Sequence, residues 1–151
     1  MTSSSPSALK ASTLSPLLML LCGCALFAPA YDEQVGVQTN AAYTVVGRLL
    51  SEAEYGKFTS PGSFPDALDR YAEADALLMT AAARAGALPV AARPASEART
   101  LLAGQIQGCR ERVRMLATIH QREGIAPNAG LTENARTACD LAARAANAMN
   151  R

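Results

Sequence analysis

Apolar residues recur at helical spacing along most of the chain after residue 32, and they predict four helices. The apolar face of the first helix consists of Val35, Ala42, Val45, Leu49 and Ala53. Asp32 is the predicted N-cap, because its carboxylate can accept hydrogen bonds from the free N–H groups of the first turn. We expect this helix to end near Tyr55, before Gly56, with the polar pair Thr39 and Asn40 off the apolar face.

The second predicted helix follows the turn dipeptide Pro61-Gly62. Its inward face is expected to consist of Phe64, Leu68, Tyr71, Leu78 and Ala82. Ser63 is the predicted N-cap, with Asp66 completing an approximate capping box, and Gly86 is the predicted C-cap. The tyrosines of the chain are expected at the edge of the core, with their hydroxyl groups toward water.

The third predicted helix carries two apolar stripes and begins with Ser96 as its cap. The main stripe is a heptad seam made of Leu102, Ile106, Cys109, Val113 and Leu116. The second stripe consists of Leu101, Gly108, Met115 and Ile119. Two adjacent stripes make a wide apolar face, as expected for a helix that touches two neighbours. Gly124 and Pro127 end the helix.

The fourth predicted helix is rich in alanine and starts at Thr132. Its inward residues are expected to be Ala135, Cys139, Ala142, Ala146 and Met149. Four helices joined by short loops predict an all-α fold, an antiparallel up-down-up-down four-helix bundle formed by residues 32–151. No strand pattern of useful length occurs in the sequence.

The N-terminal residues 1–23 have the layout of a bacterial signal peptide. The cation Lys10 precedes an apolar run that is densest at residues 17–21 and far shorter than the ~20 residues needed to span a bilayer. The run ends in Leu21-Cys22-Gly23-Cys24, which resembles the lipobox of bacterial lipoproteins, with Leu three residues before the acceptor cysteine and Gly directly before it. The resemblance covers residues 1–24 only.

The resemblance implies that Cys24 carries diacylglycerol on its sulfur and an acyl chain on its new amine after cleavage, which anchors the protein to a membrane. Ala25, rather than Asp, follows the acceptor, which in Gram-negative lipoproteins implies an outer-membrane protein facing the periplasm. Residues 24–31 would then be a tether. The alternatives are an ordinary signal cleaved near Ala30 and an uncleaved transmembrane anchor.

The composition limits the classes of partner that the mature chain is expected to bind. Removing Lys10 leaves equal numbers of acidic and basic residues, so strong attraction to nucleic acid is not predicted. The chain has no Trp and few other aromatic residues, which argues against a stacking platform for bases.

Cys109 and Cys139 are the thiols that remain after lipidation, and an exported compartment favours a disulfide between them. The two cysteines lie at different distances from the loop that joins their helices, so a bridge requires this loop to fold back along the third helix. The alternative is two buried free thiols. His120 is the single histidine and is expected to be a structural residue near a helix C-terminus, where the dipole favours its charged form. No metal site, cofactor or catalytic constellation is predicted, so we do not expect an enzyme.

Arg110, Arg112 and Arg114 crowd the third helix and indicate either an anion-binding patch or complementary charge to the acidic second helix, of which we favour the second. Gly104 and Gly108 form a small-xxx-small pair, explained either by close packing against the fourth helix or by a homodimer contact. The candidate partner-binding residues are Leu101, Gly104, Gly108, Arg112 and Met115. The sequence thus predicts a lipid-anchored, non-catalytic interaction module of the cell envelope, with a periplasmic small-ligand-binding bundle as the alternative.

Overall fold

The computed structural model describes residues 32–149, and the predicted signal peptide, the lipidation of Cys24 and the tether lie outside them. The helices are α1 (Glu33–Glu54), α2 (Phe64–Ala87), α3 (Arg93–Glu123) and α4 (Gly130–Ala148), and a 3-10 turn (Pro61–Ser63) precedes α2. No strand occurs within residues 32–149. The predicted all-α four-helix bundle is therefore confirmed.

Side-chain contacts between the helices fix the antiparallel, up-down-up-down arrangement. Arg84 at the end of α2 forms an ion pair with Asp32 at the start of α1. Asn147 near the end of α4 exchanges amide hydrogen bonds with Asn40 near the start of α1. The helices α2 and α3 pack together, as do α3 and α4, so the four helices close into a ring around one core.

The core combines a few large side chains with many alanines. The largest fully buried apolar side chains are Phe58, Leu50, Leu78, Ile106, Leu116 and Ile125. The predicted seam of α3 is buried along its whole length, from Leu102 to Leu116. Buried alanines such as Ala42, Ala81 and Ala142 let neighbouring helices approach closely, because a methyl group needs little space between two backbones.

Several predicted helix ends were wrong. The helix α3 begins at Arg93, not after Ser96, because Pro94 lies in its first turn, where a missing N–H costs nothing. The helix α2 continues through Gly86 to Ala87, with Leu88 as its C-cap. The helix α4 starts at Gly130, two residues before Thr132.

Two residues lie on faces other than the predicted ones. Leu68 is half exposed, and Ala67 beside it is buried instead. Thr39 was expected off the apolar face of α1 but is buried, and its hydroxyl donates a hydrogen bond to the carbonyl of Val35 at 2.7 Å. A threonine hydroxyl that bonds the preceding turn of its own helix is satisfied, so it can enter the core without a desolvation penalty.

The loops at one end of the bundle hold each other through their backbones. Ile125 donates a hydrogen bond from its N–H to the carbonyl of Phe58 at 2.6 Å. Gly124 ends α3 with a φ of 82°, and a Cβ atom there would lie 2.5 Å from the carbonyl carbon of Thr59. Only glycine therefore allows the connection between α3 and α4 to lie against the loop after α1.

Cys109 and Cys139 are joined by a disulfide that links α3 to α4, with their Cα atoms 4.6 Å apart. Along its own helix, Cys109 lies ~21 Å from the end of α3, whereas Cys139 lies ~13 Å from the start of α4. Cys109 and Cys139 lie at the same height along the bundle because residues 124–129 fold back toward the bundle before α4 begins. The bond closes a long loop and spans two buried helix faces.

Candidate functional site

His120 is fully buried at one end of the bundle, where three elements meet. The last turn of α3 supplies the histidine, α2 supplies Phe64 and Tyr71, and the loop after α1 supplies Phe58. The centroids of these three aromatic rings lie 5.0 to 5.9 Å from the centroid of the imidazole. The single histidine of the chain is thus the centre of an aromatic cluster that joins α2, α3 and the loop.

One set of proton positions satisfies every hydrogen bond in this cluster. The Ser63 hydroxyl donates its single proton to the carbonyl oxygen of Ser60 at 2.6 Å, because a carbonyl oxygen can only accept. Ser63 Oγ also lies 3.0 Å from His120 Nε2, so Nε2 carries the imidazole proton and donates it to Ser63. The other ring nitrogen, Nδ1, is then the acceptor for the Tyr71 hydroxyl at 3.2 Å. The hydrogen bonds thus form a series from Tyr71 through His120 and Ser63 to the backbone carbonyl of Ser60. Each polar group in this series has a hydrogen-bond partner.

This arrangement holds His120 neutral. Desolvation by burial lowers the pKa of His120 below its ordinary value of 6.5. The helix dipole was expected to favour the charged form, but burial removes the imidazole from water and shifts its pKa in the opposite direction. Burial raises the pKa of Tyr71, whose hydroxyl bonds His120 rather than water. The prediction that every tyrosine hydroxyl faces water was therefore wrong for Tyr71.

A serine beside a histidine resembles a nucleophile and its base, but the proton directions oppose that chemistry. A general base must accept the proton of the nucleophile, whereas Ser63 donates its proton to Ser60. Ser63 was predicted to cap α2, yet its side chain makes no hydrogen bond to that helix. Its hydroxyl serves the histidine cluster instead, which is a structural role.

Two of the three arginines crowded on α3 pair with a single acidic residue of α2. Arg110 makes a two-pronged contact with Asp75, at 2.8 and 3.2 Å, and Arg114 lies 3.9 Å from the same carboxylate. The hydrogen bond to Asp75 raises the pKa of Arg110. Complementary charge between neighbouring helices therefore accounts for these two residues, while Arg112 lies exposed on another side of α3.

The second apolar stripe of α3 faces solvent instead of a neighbouring helix. Leu101 is 63 % exposed and Met115 is 44 % exposed. A Cβ atom added at Gly104 or at Gly108 would meet no atom within 4 Å. The prediction that these glycines allow close packing against α4 was therefore wrong, since both open onto free space. We call the surface of Leu101, Gly104, Gly108, Arg112 and Met115 the outer face of α3.

An open groove of about 510 Å³ lies on the N-terminal half of this surface. It is lined by Ser96, Glu97, Thr100, Leu101, Gly104 and Gln105. A smaller pocket of about 210 Å³ lies between α1 and α2 and contains Arg48, Arg70 and Glu73. Arg70 there forms an ion pair with Glu52, so the charge of one of the two arginines in the pocket is already neutralised.

Within residues 32–149, no group of His, Cys, Asp and Glu side chains is arranged to hold a metal ion. No helix in that range is both long enough and apolar enough to cross a membrane.

The residues of the outer face of α3 were recognisable in the sequence as one stripe, whereas the cluster around His120 was missed. The available signal was its position, since His120 follows Val113 by one heptad and so shares the buried seam. Its partners come from two other elements and cannot be read from local spacing. Comparisons with protein families, with curated proteins and with solved structures found no match to this chain.

Proposed function

We propose that this protein is a lipid-anchored, non-catalytic interaction module of the bacterial cell envelope that binds a protein partner through the outer face of α3. The observation that carries the proposal is the solvent exposure of Leu101 and Met115 on the longest helix of the bundle. Two large apolar side chains on one helix stripe, with glycines between them, form a surface that another helix can approach closely.

The membrane anchor rests on the lipobox resemblance of Leu21-Cys22-Gly23-Cys24. The disulfide between Cys109 and Cys139 supports export, because disulfides form and persist in oxidising compartments and are rare in the cytosol. In this proposal Cys24 carries the lipid, and the bundle faces the periplasm from the outer membrane.

The proposal assigns no catalytic role to the bundle. The usual general base in a protein is a histidine, and both ring nitrogens of His120 are used in internal hydrogen bonds. The imidazole is also closed to solvent, so a substrate has no access to it.

A second candidate, a periplasmic small-ligand-binding bundle, is favoured only by the groove of about 510 Å³ beside Leu101. That volume falls within the range of small-molecule sites, but the groove is open, whereas such sites bury most of their ligand. A thermal-shift screen separates the candidates, because a ligand that binds the folded state raises its melting temperature.

The anchor is tested by the intact mass of the protein extracted from its own cell envelope. The expected mass is that of Cys24–Arg151 plus acyl chains. A mass without lipid, whether the chain begins near Tyr31 or retains its leader, would contradict the anchor.

The binding face is tested by cross-linking in the cell envelope with the double variant Leu101→Asp, Met115→Asp. The matched control is Leu68→Asp, Met79→Asp, which changes two half-exposed apolar residues on α2. We expect the cross-linked complexes of the wild type to disappear with the α3 variant and to persist with the control. Equal loss in both variants, or persistence in both, would contradict a specific role for the outer face of α3.

A further inference from the structure

On the outer face of α3, Leu101 and Met115 lie at equal distances on either side of Gly108. Leu101 precedes Gly108 by two helical turns and Met115 follows it by two turns, so both apolar side chains lie on one stripe, each about 10 Å from the glycine along the axis. Gly104 lies on the same stripe between Leu101 and Gly108. A second copy of α3 that crosses antiparallel at Gly108 would therefore meet an apolar residue opposite each of its own.

Nothing within residues 32–149 explains the two glycines. Glycine in a helix interior costs about 1 kcal/mol relative to alanine. Such a cost is usually offset where another backbone comes close, but in the described part of the chain Gly104 and Gly108 face free space. A second helix crossing at Gly108 would supply a close approach that residues 32–149 do not.

The groove lies at the position that this crossing requires. Its lining runs from Ser96 to Gln105, so its centre is about two helical turns before Gly108. Met115 lies about two turns after Gly108 and is half exposed. In the antiparallel crossing, Met115 of each copy faces the groove of the other. The flexible methionine side chain is well suited to fill an irregular gap.

The charges of the stripe are compatible with this register. Leu101, Gly104, Gly108 and Met115 are uncharged, so Arg112 is the one ionised side chain of the outer face of α3. Arg112 of each copy lies opposite Gly104 of the other, where the missing side chain leaves room for its stem. The two Arg112 residues are then about 12 Å apart along the axis, beyond the Debye length of ~8–10 Å in physiological salt.

We propose that the occupant of the outer face of α3 is a second copy of this chain, packed antiparallel about a two-fold axis through Gly108. The contact is isologous, since both copies use the same surface and each groove receives Met115 of the other copy. This inference rests on the proposed function, because it names the partner of the same face.

Disulfide cross-linking between two different cysteine variants tests how the α3 helices of the two copies are aligned. In a mixture of full-length Leu101→Cys and Met115→Cys proteins, purified in detergent and tagged to different masses, the new thiols lie opposite each other. In either protein alone, the two equivalent cysteines lie about 21 Å apart, far beyond the ~7 Å between Cα atoms that a disulfide spans. We expect a cross-linked dimer of mixed tags from the mixture and none from either protein alone.

Two controls make the result specific. The wild type treated with the same oxidant reports cross-links through its native cysteines, and a mixture of Leu68→Cys with Met115→Cys reports random collision.

Light scattering of the wild type should give twice the monomer mass, corrected for detergent, and Leu101→Asp should return it to the monomer.

A monomeric wild type, or equal cross-linking in the mixture and in Leu101→Cys alone, would overturn the two-fold packing. If the wild type is monomeric but the α3 double variant still abolishes envelope complexes, the dimer fails and the proposed binding face stands. If the α3 double variant changes neither the dimer nor the cross-linked complexes in the envelope, both proposals fail.

Discussion

Replacing Tyr71 by phenylalanine removes one hydroxyl and leaves His120 Nδ1 without a donor in a site closed to solvent. A buried polar atom that loses its partner costs about 1–3 kcal/mol, because it gains no water in exchange. The phenyl ring keeps the aromatic packing against Phe64 and the imidazole, so little of the loss comes from a cavity. We expect Tyr71→Phe to lower the free energy of unfolding by about 1–3 kcal/mol near pH 7.5.

The dependence on pH provides a sharper test. The pKa of His120 is lowered in the folded state, so below its ordinary value of 6.5 the unfolded chain binds more protons than the folded one. The stability of the wild type therefore falls as the pH drops below 6.5 and levels off below the folded pKa. The Tyr71 hydroxyl favours the neutral ring, so its removal raises the pKa of His120 toward the ordinary value. The difference in the free energy of unfolding between the Tyr71→Phe variant and the wild type should therefore decrease as the solution becomes acidic.

The assay is urea unfolding followed by far-ultraviolet circular dichroism near pH 7.5 and near pH 5, which bracket the ordinary pKa of histidine. The matched control is Tyr43→Phe, which removes a hydroxyl from a partly exposed residue and should change stability by less than about 0.5 kcal/mol. A Tyr71→Phe protein as stable as the wild type, or a wild type that becomes more stable below pH 6.5, would refute the assignment of a neutral, hydrogen-bonded histidine.

The other predictions concern the disulfide and two glycines. Replacing Cys109 and Cys139 by serine opens a loop whose ends are 30 residues apart, and it should cost ~3–4 kcal/mol in urea unfolding; unchanged stability would show that the bond contributes nothing. Gly124→Ala should lower the thermal midpoint, because its Cβ would enter the backbone of Thr59, and a midpoint equal to the wild type would contradict that contact. Gly104→Ala should raise the midpoint in dilute, monomeric protein, since alanine favours the helix by about 1 kcal/mol and meets no atom, and a lower midpoint would mean that the site is crowded.

The periodicity of the sequence predicted the four helices and the seam of α3, because helix position alone decides which residues of an amphipathic helix face the core. The periodicity predicted the buried face less well where a small and a large apolar residue are neighbours in the sequence. Ala67 is buried in place of Leu68, since closely spaced helices have room for a methyl group at that level, and alanine carries little hydrophobic signal.

The errors at helix ends have a related cause. Ser63 lies at the N-cap position of α2 as predicted, but its hydroxyl bonds His120 instead of the helix, whereas Ser96 lies inside α3 and accepts a hydrogen bond from Arg99. Neither contact is visible in local sequence, because a cap prediction considers only the neighbouring turn. The outer face of α3 was found as a stripe, but the sequence could not show that α1, α2 and α4 leave it uncovered.

The bond between Cys109 and Cys139 also determines what a protease can do to this protein. The connection between α3 and α4 exposes Ala126, Pro127 and Asn128, which makes it the kind of loop that proteases cut. A cut there would leave α4 covalently attached through sulfur, so the nicked molecule would keep its four helices together and release no fragment. It would migrate as one band without reductant and as two bands with it, so the bundle can survive the loss of a peptide bond.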